Sequence, residues 1–313
     1  MKNLLNWIKL IRSGNLLIML LIVWLVNQML VAPFLTAAGI PGSFNLYSFV
    51  LLCVSVVATA AAGNIINDLV DEETDRINRP QKLIINKTIS ERTARTAYVL
   101  LIGFASLSAL LLSIHHSSIY FFLITVVFNG LLWFYARRYK QQFLVGNLVV
   151  AFLGAGLILY VWLYDLLILI QDPITNARLE PVMGMMTQVI MIYTGFAFLS
   201  SLIREIIKDM QDMKGDFETG CRTMPVVMGV SATTKTVWVL MALLLLLIVW
   251  WQFLLFKSTA LAAFGFLFVT NSLLIICAMQ LSNQSDPQRF KRSSSLMKIV
   301  MLTGIISIIF IHL

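Results

Sequence analysis

Apolar residues fall along this chain in long unbroken blocks, and the polar ones gather in the gaps between them. A helix that is apolar all round and about 20 residues long is the length that crosses a bilayer. Nine blocks qualify, at 15–36, 46–68, 94–114, 119–136, 143–164, 187–208, 235–256, 259–281 and 294–313. They predict an all-α integral membrane protein with nine transmembrane helices in one bundle, forming a single domain over 1–313. Trp7, Ile8, Leu10 and Ile11 alternate with Lys2, Lys9 and Arg12 in an amphipathic start. The run behind it is too long, and is followed by too many spans, for a cleavable signal peptide. Pro33 is placed to kink or end the first span, and 39–43 to turn the chain. The connections at 76–93 and 219–230 read as caps after the second and sixth spans, because loops this long in a compact bundle are usually functional. On the opposite side, 165–186 reads as the longest connection.

The polar pattern is informative at the ends of two spans. Asn64, Asp68, Asp71 and Asp75 recur at helical spacing, which places them on one face of the second helix. Glu205, Asp209, Asp212 and Asp216 repeat that spacing at the end of the sixth, 141 residues later at every position. Each copy closes an apolar span and leads to a basic residue and a proline: Arg79-Pro80, and Arg222 before Pro225. One acidic face is commonly a solvated surface. Two with identical spacing make a pseudo-repeat over 64–75 and 205–216. Stacked carboxylates repel, and burying them unpaired costs several kcal/mol each, so cations must face them.

Charge then orients the chain. Of the 23 Lys and Arg, all but Arg178 and Lys257 fall on the side of the two acidic motifs. By the positive-inside rule the N-terminus and both motifs are cytoplasmic, in a cell inner membrane, with the C-terminus outside. The net charge of +8 is thereby assigned to topology and to contact with anionic membrane lipids, and no nucleic-acid motif accompanies it. Cys53, Cys221 and Cys277 have no paired spacing, which excludes a disulfide framework or a zinc site. His115 and His116 read as turn residues.

Two carboxylate faces flanked by Lys and Arg suit a diphosphate bridged by Mg2+, a hard ion that takes one or two carboxylates and shares phosphate oxygens. A diphosphate stabilised as a leaving group lets an allylic carbon–oxygen bond ionise. A hydrophobic bundle then holds the prenyl tail and keeps water from the cation. On this reading Asp68, Asp71, Asp209 and Asp212 are the catalytic metal ligands, with Asp75 and Asp216 as further ligands. Substrate contacts are expected from Arg12, Asn15, Asn64, Asn67, Arg79, Lys82, Lys140, Asn147, Arg204, Lys208, Lys214 and Arg222. Arg204 and Lys208, one turn apart, are candidates for a second anion beside the metal site. Pairing with Glu205 or Asp212, or snorkelling, is the plainer alternative.

These motifs, written NDxxDxxxD at Asn67 to Asp75 and DxxDxxxD at Asp209 to Asp216, resemble those of the UbiA superfamily of intramembrane prenyltransferases. Arg12 to Asn15, Tyr135 to Lys140, Gly146-Asn147 and Arg222 to Pro225 extend the resemblance over nearly the whole chain. It implies a nine-helix bundle around a central cavity, Mg2+ dependence and transfer of a prenyl group from a polyprenyl diphosphate donor. Within the superfamily, Arg204-Glu205-Ile206-Ile207-Lys208-Asp209 is most similar to the digeranylgeranylglyceryl phosphate synthases, the ether-lipid branch, whose acceptor is a glyceryl phosphate ether. An aromatic acceptor of quinone biosynthesis (4-hydroxybenzoate, homogentisate or a naphthoate) is the alternative. A transporter using the acids to bind a coupling cation is a rival from another class, although such sites lie near the midplane rather than at span ends.

Overall fold

The structure, a computed structural model, describes residues 2–40, 45–282 and 288–311, apart from the side chains of Lys2, Asn3 and Lys82. Among the described residues nine helical stretches are long and apolar enough to cross a membrane. An amphipathic helix α1 (Lys2–Leu10) leads to α2 (Ser13–Leu25), and a π-helical turn at Val26–Val31 joins α2 to α3 (Ala32–Ala37). The remaining spans are α4 (Leu46–Val70), α6 (Glu91–His115), α7 (Tyr120–Arg137), α8 (Val145–Leu169), α9 (Pro173–Glu218), α10 (Met224–Lys257), α11 (Leu261–Ser282) and α12 (Arg289–Ile306), with a short α5 (Glu72–Asn78) after α4.

Residue size decides which faces meet. The buried side of α6 carries Ala94, Ala105, Ser108 and Ala109, and α4, which packs on α6, buries Ala58, Ala61 and Ala62. Small residues let two backbones approach closely where no water is available to drive association. The outer face of α6 is lined instead by Val99, Leu100, Phe104 and Leu107, all exposed and suited to lipid. Around the other half of the bundle α9 packs on α8, α10 and α12, and α11 packs on α12. Asn45, Ser90 and Asp172 cap α4, α6 and α9 through side-chain oxygens that accept from Tyr47, Thr93 and Thr175 amides.

Four expectations change. The acidic stretch 64–75 is not one helix: α4 ends at Val70, Asp71 adopts φ −81°, ψ 0°, and α5 starts afresh at Glu72. The 165–186 connection is nearly all helix. Helix α8 runs to Leu169 and α9 begins at Pro173, where proline's fixed φ suits a first turn. With 46 residues, α9 is about 69 Å long against a hydrocarbon core of about 30 Å, so its polar ends extend beyond the core and lack the apolar pattern of a span. Asp165 is buried within α8, where it accepts from Asn27 Nδ2 at 2.7 Å. The 219–230 cap shrinks to Thr219–Thr223, with the next helix broken at Gly229, whose φ of 79° favours glycine. Finally, of the two outcomes expected at Pro33, an end to the span is not the one found: the first span runs on to Ala37, as the 15–36 block allowed. The ring's clash one turn back is absorbed by the π-helical turn. Part of the 39–43 turn lies outside the described residues.

Candidate active site

The two acidic motifs meet. The bend at Asp71 swings α5 across the end of α9, and Asn78 clamps it there. Its Nδ2 donates to the Asp212 carbonyl at 2.9 Å, and its Oδ1 accepts from the Gly215 amide at 2.9 Å. Gly215 permits this because the amide occupies the space a Cβ would need. Thr74 and Thr219 hydroxyls add a bond of 3.2 Å. A straight α4 would have carried Asp75 away from the second motif.

Five of the motif aspartates have their own partners. Arg12, in a left-handed turn (φ 54°) between α1 and α2, donates to Asp68 at 2.6 Å. Lys140, on the turn before α8, pairs with Asp71, which also accepts from Asn67 Nδ2 at 2.8 Å. Asn147 Nδ2 donates to Asp209 at 2.7 Å, Arg79 pairs with Asp212, and the Thr223 hydroxyl donates to Asp216 at 3.2 Å. Burial disfavours a charged Lys140, but the Asp71 carboxylate outweighs it and holds the ammonium above its ordinary pKa. Burial, and then the Asp71 charge, push the Asp75 carboxyl above the usual carboxylate range.

These groups enclose a small polar pocket of about 60 Å³, lined by five carboxylates (Asp71, Asp75, Asp209, Asp212, Asp216) and four cations (Arg12, Arg79, Lys140, Lys208). Asp68 borders the pocket only through Arg12. Asn67, Arg12 and Lys208 also line a second, larger cavity of about 410 Å³. That cavity is largely apolar, reaching between Ile124, Phe128, Leu157, Tyr193, Leu244 and Ile248. Asn15 and Asn64 line it too, Asn64 while donating to the Ile11 carbonyl at 2.9 Å and so tying the N-terminal helix to α4.

Other expected residues lie elsewhere. Lys214, on the exposed side of α9, and Arg222, on the turn at Thr219–Thr223, are exposed and border neither cavity. The Lys82 side chain lies outside the described residues. Arg204 and Lys208 both pair with Glu205, Lys208 at 3.3 Å, while still facing the large cavity. The sequence reading missed Asn78, Thr223 and Gln141. Asn78 stands directly before Arg79-Pro80 and Thr223 lies within the Arg222 to Pro225 stretch, which were the signals available.

The donor set fits a hard divalent cation, since every pocket carboxylate offers oxygen and two helices supply them from opposite sides. Among the described residues no three of these groups close into a ready-made cage. Mg2+ does not need one, because water and phosphate complete its shell.

The family model for UbiA prenyltransferases matches residues 15–302. The chain belongs to the UbiA prenyltransferase family. Membership decides for the prenyltransferase reading over the transporter. The chain is 33% identical to the digeranylgeranylglyceryl phosphate synthase of Methanothermobacter thermautotrophicus over 64% of its own length and 63% of that protein. It is 29% identical to the synthase of the same name from Korarchaeum cryptofilum, over 88% of the chain and 90% of that protein. A solved structure described as concerning digeranylgeranylglyceryl phosphate synthase in membranes superposes with a TM-score of 0.65 at 22% identity, covering both chains completely. A UbiA homolog from Archaeoglobus fulgidus, bound to DMAPP and Mg2+, superposes with a TM-score of 0.56 at 17% identity over 97% of this chain and 99% of its own. The nine-span bundle is thus the UbiA fold, and the protein is an integral membrane prenyltransferase.

Proposed function

We propose that this protein transfers a geranylgeranyl group from its diphosphate to a glyceryl phosphate ether, making an ether lipid. The observation that carries the reaction is the junction of two cavities, one polar and rich in carboxylates and cations, the other apolar, meeting at Arg12, Asn67 and Lys208. A prenyl diphosphate has the same division, with its reacting carbon at the junction. The acceptor follows from the names of the relatives at 29–33% identity and from the spare cations beside the large cavity.

In this reading Asp71, Asp75, Asp209, Asp212 and Asp216 hold Mg2+, with Asp68 orienting Arg12. The metal, when bound, neutralises diphosphate charge and so favours its departure. Arg79 and Lys140 exchange part of their carboxylate contact for phosphate oxygens, which charge-assisted bonds favour. Asn147 fixes the Asp209 carboxylate. Phe128, Tyr135 and Tyr160 face the cavity and offer ring faces toward a developing allylic cation. The apolar wall excludes water that would quench it. The allylic carbon–oxygen bond breaks with its electron pair leaving on pyrophosphate, and the acceptor hydroxyl oxygen bonds to carbon, releasing a proton. One domain over 1–313 performs this, with the motif ends of the spans cytoplasmic and the last span ending outside, as the lysines and arginines favour.

The test is to incubate purified protein with Mg2+, labelled geranylgeranyl diphosphate and a panel of acceptors, then identify products by mass spectrometry. Ether product and pyrophosphate, both lost with EDTA, are expected. Product from 4-hydroxybenzoate or homogentisate alone would move the enzyme to quinone biosynthesis.

A further inference from the structure

We propose that Lys298, on the last span, completes with Arg204 and Lys208 a second anion site at the neck of the apolar cavity, and that this site takes the phosphate monoester of the acceptor. The inference rests on the glyceryl phosphate reading above and goes further by assigning the phosphate a separate seat.

Arg12, Arg204, Lys208 and Lys298 all line the large cavity, but Arg204 and Lys298 do not line the diphosphate pocket. They are brought together by tertiary packing, since α12 lies against both α9 and α2. The charged groups that act most strongly on Lys298 include Arg204, Arg12 and Lys208, with Glu205 acting in the opposite sense. Asp68 answers Arg12, and Glu205 alone answers both Arg204 and Lys208. Among the described residues Lys298 has no ion-pair partner. The Arg204 Nε is buried without a hydrogen-bond partner.

Arg12 and Lys208 also border the carboxylates of the polar pocket, so the cations that face the large cavity alone are Arg204 and Lys298, with Glu205 as the carboxylate lining that cavity. Like charges that converge repel, and an anion relieves them. A phosphate monoester near neutral pH carries about −1.5 to −2 and so suits a place where several cations converge. Its lipid chain would continue into the apolar cavity. The same chemistry would also accept the phosphate of an anionic lipid headgroup, so the experiment must separate the two.

In an uncharged detergent, initial rates are measured with the glyceryl phosphate ether and geranylgeranyl diphosphate varied in turn, for the wild type, Lys298→Met and Lys298→Arg. The expected result is an acceptor KM raised about 10- to 100-fold by Lys298→Met, as for loss of a bond to a charged group. Donor KM should stay within about twofold and Lys298→Arg should recover most of the loss, as a retained point charge predicts. Added phosphatidylglycerol should leave the wild-type acceptor KM unchanged. An unchanged acceptor KM in Lys298→Met, or an equal rise in both KM values, would overturn the assignment. So would a wild-type rate that depends on phosphatidylglycerol through Lys298. In those cases the proposed reaction stands. A wild type that makes no ether from any glyceryl phosphate acceptor removes the reaction and this site together.

Discussion

Asn78 joins the two acidic motifs through backbone atoms of α9, which gives a sharp test of how the site is assembled. Asn78→Ala removes both of its bonds, to the Asp212 carbonyl and the Gly215 amide. At about 0.5–1.5 kcal/mol net each, the loss is about 1–3 kcal/mol. The Thr74–Thr219 bond and the Arg79–Asp212 pair remain, so α5 should loosen without detaching. Gly215→Ala attacks the same clamp from the other side, because a Cβ there would lie 2.7 Å from the Asn78 Cγ. The two substitutions must therefore be non-additive. In the wild type Gly215→Ala destabilises. With Asn78→Ala already present the space is open, and Gly215→Ala should stabilise by up to about 1 kcal/mol, the helix-propensity gain of alanine over glycine. Thermal unfolding in detergent reads the stability, with roughly 2–4 °C expected per kcal/mol. Donor KM at limiting Mg2+ reads the site and should rise for both single variants, since α5 carries Asp75 and positions Arg79. Additive losses in the double variant, with no change of sign for Gly215→Ala, would refute the clamp.

Asp71→Asn and Asp212→Asn should each lower turnover by orders of magnitude with the protein still folded in detergent. Glu73→Gln should be nearly silent, because Glu73 is exposed outside the pocket; equal damage would sink the pocket assignment. Arg79→Gln is expected to raise donor KM about tenfold or more, the cost of a lost charge-assisted contact, whereas Arg222→Gln, exposed and outside the pocket, should stay within about twofold. Gly146→Ala places a Cβ 2.8 Å from the Lys140 Cα and the Tyr139 carbonyl, with little room to yield. It should cost about 1–3 kcal/mol in overpacking and displace Lys140 from Asp71, read as a lower unfolding temperature and a higher donor KM. Normal values for both would show the 139–146 turn to be adaptable.

The spans, the family and the two acidic motifs are all local properties of the chain, and they were legible in it. A bilayer demands about 20 apolar residues per helix, so the nine spans announce themselves, and identical acid spacing at 64–75 and 205–216 survives any arrangement of the helices. What each carboxylate faces depended on packing. Helical periodicity put Asp71 and Asp75 on one continuous face, but the break at Asp71 and the grip of Asn78 bend α5 onto α9. No periodicity encodes a bond between residues 134 positions apart. Arg79 and Arg222 hold matching places after their motifs, yet one enters the pocket and the other faces out, because the turns that carry them differ. Lys298 reads in sequence as one more basic residue near a span end. Only the packing of α12 against α9 and α2 sets it among Arg12, Arg204 and Lys208, where like charges in an apolar neck call for an anion.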